Sequence, residues 1–79
     1  MDIIMKFCKR HNVNIMVNYQ LAVMYYDIWM TKNSKTIYHS ITCEELELSE
    51  DKNKTILNHL NYMLNELKEG RGRNVGTGT

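Results

Sequence analysis

The chain has 79 residues, of which 43% are hydrophobic and 24% are charged, and its formal net charge at pH 7 is +1. This composition argues against a disordered chain and fits one small globular domain. The low net charge provides no global field that would attract nucleic acid. No apolar run reaches the ~20 residues of a membrane-spanning helix, and the first residues lack the apolar core of a signal peptide. We therefore expect a cytoplasmic protein with reduced cysteines and no membrane partner.

The first part of the chain predicts an amphipathic helix followed by a strand. Asp2 can cap a helix that runs to about His11, with cationic residues in its last turn and Asn12 at its exit. Its apolar face carries Ile3, Ile4, Phe7 and Cys8. Residues 13–18 alternate between apolar and mostly polar side chains, which predicts a strand, and residues 18–20 are expected to form the next turn.

Residues 21–42 predict the β-hairpin around which the rest of the chain is organised. Residues 22–30 are rich in β-forming residue types, and residues 36–42 have the composition of a return strand. Residues 32–35 between them supply turn chemistry, with either a two-residue or a four-residue loop. Together with the preceding strand, the hairpin predicts a three-stranded antiparallel meander.

The pairing register of this hairpin follows from side-chain polarity. With Asn33 and Ser34 at the tip, one face of the hairpin is apolar and the other is mixed. The expected pairs are Met30–Ile37, Ile28–His39 and Tyr26–Ile41 on the apolar face, and Trp29–Tyr38, Asp27–Ser40 and Tyr25–Thr42 on the mixed face. A slip of one residue would place isoleucines on the face of Asp27 and is therefore disfavoured.

The last third of the chain predicts two helices. Thr42 fits the cap of a capping box in which Glu45 reaches back, and Ser49 is expected to cap a longer helix that ends near Glu69, before Gly70. The apolar face of the longer helix comprises Ile56, Leu57, Leu60, Met63, Leu64 and Leu67.

The resulting order is α-β-β-β-α. We predict one α+β domain over residues 1–69, in which a three-stranded antiparallel sheet has its helices packed on one face. Residues 70–79 show no apolar period and predict a flexible tail.

One set of residues has the chemistry of a metal site. Cys8 and His11 are spaced to share a helix face, and His39 and Cys43 follow, so two cysteines and two histidines could bind zinc tetrahedrally. However, Cys8 and His39 also fall at inward positions where each can be a core residue, and the spacing is not a zinc signature. We therefore expect neither a metal nor another cofactor.

Enzymatic activity is not expected. Cys43 and a histidine could form a nucleophile pair, but the chain has no glycine-rich phosphate loop and no nucleophile elbow. The acidic residues of segment 44–51 lack the spacing of a calcium loop.

Binding is the favoured function. If helices cover one face of the sheet, the other face presents Tyr25, Trp29 and Tyr38 around Asp27, and exposed aromatics suit protein contacts or base stacking. We predict a partner-binding surface formed by these four residues. Self-association into a homodimer and nucleic-acid binding are the alternatives.

The nucleic-acid alternative has its own candidate residues. Lys32 and Lys35 at the hairpin tip and Arg71 and Arg73 in the tail could contact phosphates. The element order also resembles that of the double-stranded-RNA-binding domain. In that family the second helix begins with a basic segment. The corresponding residues 51–55 of this chain begin with Asp51 and follow Glu50, and these two acidic side chains would repel phosphates.

In outline, residues 1–69 resemble the small accessory proteins of phages and other mobile elements, some of which inhibit host defence nucleases. Several phage-encoded inhibitors share the order of helix, three strands and helix. The resemblance implies binding to a host or phage macromolecule, with inhibition of a host defence system as one outcome. It carries no functional residues over to this chain.

Overall fold

The structure, a computed structural model, describes the backbone of residues 2–74 and the side chains of residues 3–72. Its elements are α1 (Asp2–His11), β1 (Asn14–Gln20), β2 (Tyr25–Lys32), β3 (Lys35–Thr42), α2 (Cys43–Leu48), α3 (Lys52–Lys68) and the two-residue β4 (Arg73–Asn74). The strands form one antiparallel sheet in the order β1-β2-β3-β4. The predicted α+β class and α-β-β-β-α order are confirmed. Among the described residues, no helix has the length and apolar character to cross a bilayer.

The predicted register of the β2–β3 hairpin is confirmed at every pair. Lys32 pairs with Lys35, so the turn has two residues rather than four. Asn33 and Ser34 both have positive φ, at 52° and 67°, as a type I′ turn requires. This turn matches the right-handed twist of the flanking strands, which explains why serine is tolerated at the second position.

The predicted turn between β1 and β2 is wrong by several residues. β1 continues through Gln20, and the turn comprises residues 21–24, which were expected to begin the second strand. The longer β1 lets Tyr19 pair with Tyr26, with their ring centroids 4.9 Å apart. Met24 closes the turn with a φ of 53°. This tertiary pairing outweighs the β-propensity of the turn residues.

The helix caps follow the sequence in part. Thr42 caps α2 by accepting the backbone N–H of Glu45, as predicted. The reciprocal half of the capping box is not formed, because the Glu45 carboxylate binds His59 instead. α3 is capped by Asp51 rather than by Ser49, which ends α2. Asp51 lies directly before the first helical residue, where its side chain can accept the N–H of Lys54.

The core lies between α3, α1 and one face of the sheet. Its buried residues are Phe7, Val13, Ile28, Met30, Ile41, Ile56, Leu60, Met63, Leu64 and Leu67. The apolar faces predicted for α1 and α3 both pack here, with Leu57 only partly buried. Leu46 of α2 packs against the same core, so all three helices lie on this side of the sheet and, among residues 2–74, the other side carries no helix.

Residues 70–74, which belong to the predicted tail, are placed against the domain. Gly70 has a φ of 80° and ends α3 as expected. At Gly72, a Cβ atom would lie 2.6 Å from the Leu67 side chain and 3.0 Å from the Thr36 carbonyl oxygen, so only glycine fits this approach. β4 then pairs with residues 35–36 of β3. The expectation for residues 75–79 lies outside the described residues.

Candidate functional site

One face of the sheet, here called the open face, carries no helix. Because side chains alternate along each strand, the register of β1, β2 and β3 assigns it three rows of residues. They are Asn14, Met16, Asn18 and Gln20 of β1, Tyr25, Asp27, Trp29 and Thr31 of β2, and Thr36, Tyr38, Ser40 and Thr42 of β3. The predicted partner-binding residues all belong to this face.

A group of large apolar side chains forms the centre of the open face. We call Met16, Tyr25, Trp29 and Tyr38 the aromatic patch. Trp29 pairs with Met16 on one side and Tyr38 on the other, and the Trp29 and Tyr38 ring centroids are 5.4 Å apart. Met16 is 66% exposed and Tyr38 is 50% exposed, although both side chains are large and apolar. Tyr25 and Trp29 are half-buried, so Met16 and Tyr38 supply most of the exposed thioether and aromatic surface of the patch.

Asp27 lies on the predicted face of the sheet but is buried there. Its residue exposure is only 6%, so it presents little surface of its own on the open face. Its carboxylate accepts hydrogen bonds from the Tyr38 hydroxyl and, over 2.9 Å, from the Gln20 amide. The hydrogen bond to Asp27, together with partial burial, raises the pKa of Tyr38 above its usual value. Asp27 therefore holds Tyr38 in one orientation on the open face.

Further exposed apolar side chains lie in the β1–β2 turn. Leu21, Val23 and Met24 are all exposed in this turn. The turn joins Gln20 to Tyr25, so these side chains lie at the end of the sheet next to Tyr25. The sequence pattern predicted a hairpin that begins at residue 21, so the exposed turn with Leu21 and Met24 was missed. Met16 was placed with Asn14 and Asn18, away from the apolar face of its strand, but was not named as a binding residue. Their apolar character was the available signal, but burial cannot be read from residue type alone.

The proposed phosphate-binding cations are engaged elsewhere. The Lys32 ammonium donates to the carbonyl oxygen of His11 over 2.8 Å, at the C-terminal end of α1. The Lys35 ammonium donates to the Gly70 carbonyl oxygen over 3.3 Å, just beyond the end of α3. Both lysines thus compensate the partial negative charge of a helix C-terminus.

The two arginines proposed as phosphate contacts do not add a cation to the three rows of the open face. Arg71 forms ion pairs with Glu66 and Glu69, at 2.8 and 3.1 Å. Arg73 of β4 pairs with Thr36 at the edge of the open face, and its side chain lies outside the described residues. The three rows of the open face contain no lysine or arginine, and their only charged residue is Asp27. A phosphate backbone laid across these rows would meet no cation within them.

The four candidate metal ligands do not converge. Among the described residues, no group of three or more histidine, cysteine or acidic side chains is arranged to hold a metal ion. His11 packs on Phe7, with ring centroids 4.3 Å apart, and Cys8 packs against the core. The Cys43 thiol lies 3.8 Å from the Tyr19 hydroxyl. His39 binds a different histidine.

A chain of three polar side chains, not predicted from sequence, joins β3, α3 and α2. His39 Nε2 lies 2.7 Å from His59 Nδ1, and His59 Nε2 lies 2.7 Å from Glu45 Oε2. An ionised carboxylate only accepts, so His59 donates from Nε2, and its neutral Nδ1 then accepts the N–H of His39. All three groups are satisfied when both imidazoles are neutral.

The histidine chain borders an open cleft of about 290 Å³ lined by His39, Asn58, His59 and Tyr62. The ring of Tyr62 lies 5.5 Å from that of His39, and Tyr62 is itself exposed. The cleft contains no serine or cysteine nucleophile beside the histidines. We therefore assign the histidine chain to the packing of α2 and α3 on the sheet.

The histidine chain predicts a pH-dependent stability. Burial, and secondarily the neighbouring His59, lowers the pKa of His39, whereas Glu45 raises it. His39 therefore binds a proton less readily in the folded state than in the unfolded state, where the pKa of histidine is about 6.5. The contribution of neutral His39 to the free energy of unfolding is fully present above about pH 6.5. It is lost as the pH falls towards the lowered pKa of the folded state. Urea unfolding should therefore give a lower free energy at pH 5.5 than at pH 7.5.

Two single substitutions check this assignment. His39→Gln removes the titrating group while keeping an N–H donor for His59, and should reduce the difference in unfolding free energy between the two pH values. His11→Gln removes a histidine of α1 that is outside the chain and should leave the difference unchanged. An undiminished pH dependence in His39→Gln would contradict the assignment.

No family model matches the chain, and no match was found among the curated proteins or the solved structures. Its function is therefore argued from the chemistry of its own surface. Of the features described, the open face is the one whose side chains are not explained by the packing of the domain.

Proposed function

We propose that this protein is a non-enzymatic interaction protein whose open face binds a partner protein. The observation that carries the proposal is the aromatic patch, with tryptophan, two tyrosines and a methionine on the helix-free side of a small sheet. Tryptophan, tyrosine and methionine are enriched in protein interfaces, and tryptophan and tyrosine supply most of the strong anchor residues.

The charge distribution favours protein over nucleic acid as the partner. The three rows of the open face lack lysine and arginine, while their rim is made of uncharged polar residues such as Asn14, Asn18 and Ser40. An apolar centre with a polar rim is the usual anatomy of a protein interface. Binding to RNA or DNA would need cations near the stacking surface.

The anchors are also held in place before binding. Tyr38 is fixed by its hydrogen bond to Asp27 and by its contact with Trp29, and both residues lie on paired strands. Side chains that are already ordered lose less conformational entropy when a complex forms. This supports a patch that acts as a rigid recognition surface.

We place this activity in the cytoplasm, in keeping with two unpaired cysteines. The outline resemblance to accessory proteins of phages and mobile elements suggests that the partner is a host or phage protein. Inhibition of a host defence system would be one consequence of such binding.

Site-directed photo-crosslinking tests the proposal. A benzophenone amino acid replaces Tyr25 on the open face, and in a control variant it replaces Tyr62, an exposed tyrosine on α3. After irradiation in nuclease-treated extract of the cells that encode the chain, we expect one discrete protein adduct from position 25 and none from position 62.

Three results would contradict this proposal. They are an adduct formed equally from both positions, an adduct from position 25 that contains only a second copy of the chain, and the absence of any protein adduct at position 25.

A further inference from the structure

The edge of the sheet formed by β1 carries a second inference, independent of the proposed function. β1 pairs with β2 on one side only and has no neighbour on the other among residues 2–74. Within the same range, no backbone hydrogen bond outside the regular helices and ladders involves residues 14–20. In an antiparallel strand, alternate residues direct their N–H and C=O groups outward, so this edge presents a row of groups ready to pair with another strand.

This edge lacks the features that normally prevent pairing between molecules. The seven residues of β1, Asn-Ile-Met-Val-Asn-Tyr-Gln, include no charged residue, no proline and no glycine. The opposite edge is different, since β4 covers the beginning of β3 and Lys35 lies there. Exposed edges in monomeric proteins are usually short, charged or interrupted. An uncharged edge of seven residues is typical of a strand that receives a partner.

The side chains of β1 are complementary to those of a second β1 in antiparallel orientation. If Val17 lies opposite Val17 of a second copy, Ile15 lies opposite Tyr19 on the helix-bearing face. On the open face, Met16 lies opposite Asn18, and Asn14 opposite Gln20. Directly opposed residues of an antiparallel pair share a face, so apolar side chains meet on the helix-bearing face, while on the open face the polar ends meet each other and Met16 meets Asn18.

The burial of β1 agrees with this pairing. Ile15 and Val17 point towards the helices but are only partly buried, and Tyr19 is exposed although it lies on the same face. Cross-strand contacts from a second copy would cover the outer sides of these residues. The core is therefore incomplete at the edge of the sheet formed by β1, where a second β1 would pair.

We propose that two copies of this chain form a symmetric dimer through antiparallel pairing of β1 with β1, centred on Val17. The pairing is isologous, so it closes at two copies. It joins the sheets of the two copies into one continuous sheet, with all the long helices on one side and two aromatic patches on the other.

Charge exchange at two exposed positions of β1 tests the dimer and its register. One variant combines Met16→Lys with Asn18→Lys, and a second combines Met16→Glu with Asn18→Glu. In the proposed register each introduced charge lies opposite a like charge of the second copy, so each variant alone should be monomeric. In an equimolar mixture the opposed charges are complementary, and a heterodimer should form.

The readout is solution mass by light scattering, with circular dichroism to check folding. We expect the wild type at twice the 9.4 kDa of one chain, each charge variant at 9.4 kDa, and the mixture at twice that mass. Asn61→Lys with Asn65→Lys adds the same charge on the exposed surface of α3 and should stay dimeric, as should Trp29→Ala on the open face.

A monomeric wild type would overturn the proposal, as would a folded lysine variant that remains a dimer or a mixture that remains monomeric. Dissociation of the Trp29→Ala variant would assign the interface to the open face instead. Because the experiment uses the isolated chain, its failure leaves the crosslinking test of the proposed function unaffected.

Discussion

Leu60→Ala should reduce the free energy of unfolding by about 2–5 kcal/mol, the usual range for a fully buried leucine. Leu60 has no exposed surface and lies on the face of α3 that packs on the sheet, together with Met63 and Leu64. A domain of this size has a total stability on the order of 4–12 kcal/mol. The variant should therefore be close to unfolded at 37 °C or should unfold at a much lower urea concentration.

The chain offers a matched control for this substitution. Leu48 at the end of α2 is 78% exposed, so Leu48→Ala deletes the same atoms from a site that buries little. It should change the free energy of unfolding by no more than about 0.5 kcal/mol. Urea unfolding of both variants, followed by circular dichroism, measures the difference. Equal effects of the two substitutions would contradict the placement of α3 on the sheet.

Trp29→Ala should weaken the complex with the partner identified by crosslinking about 30- to 700-fold, which corresponds to roughly 2–4 kcal/mol. Trp29 lies between Met16 and Tyr38, so its ring forms the middle of the aromatic patch. Central aromatic anchors surrounded by near-neutral contacts supply most of the binding energy in protein interfaces.

Isothermal titration calorimetry with the purified partner measures this loss. Tyr62→Ala removes an exposed aromatic ring from the helical side of the domain, and should change the affinity by less than about threefold. Thermal unfolding of both variants checks that they remain folded. A Trp29→Ala variant that is folded and binds as tightly as the wild type would contradict the role of the aromatic patch.

The position of Asp27 illustrates why the candidate site could be predicted only in part. The strict alternation of residues along β2 and β3 predicts Asp27, Trp29 and Tyr38 on one face of the sheet, and the observed register agrees. The sequence could not indicate that Asp27 is buried by its neighbours. Its burial depends on where the Gln20 amide and the Tyr38 hydroxyl point, and these residues lie 7 and 11 positions away.

The two lysines at the hairpin tip are a second example of contacts that the sequence could not predict. Because Lys32 and Lys35 flank a turn, the sequence predicts two cations exposed on the surface. In the folded chain Lys32 binds the last carbonyl of α1 and Lys35 binds the Gly70 carbonyl just beyond α3, which lie 21 and 35 residues away. Helix ends that lie far apart in the chain become neighbours of the hairpin only when the helices pack on the sheet.

The sequence by itself determined the α-β-β-β-α order, the hairpin register and the apolar faces of α1 and α3. Each of these follows from a local period of two or 3.6 residues, which any short segment carries within itself. Only the tertiary structure decided that Glu45 binds His59 rather than capping α2, that Asp27 is buried, and that β1 is left as an open edge among the described residues. These outcomes depend on side chains and strands that meet through packing, and long-range contacts of this kind leave no periodic signal in the sequence.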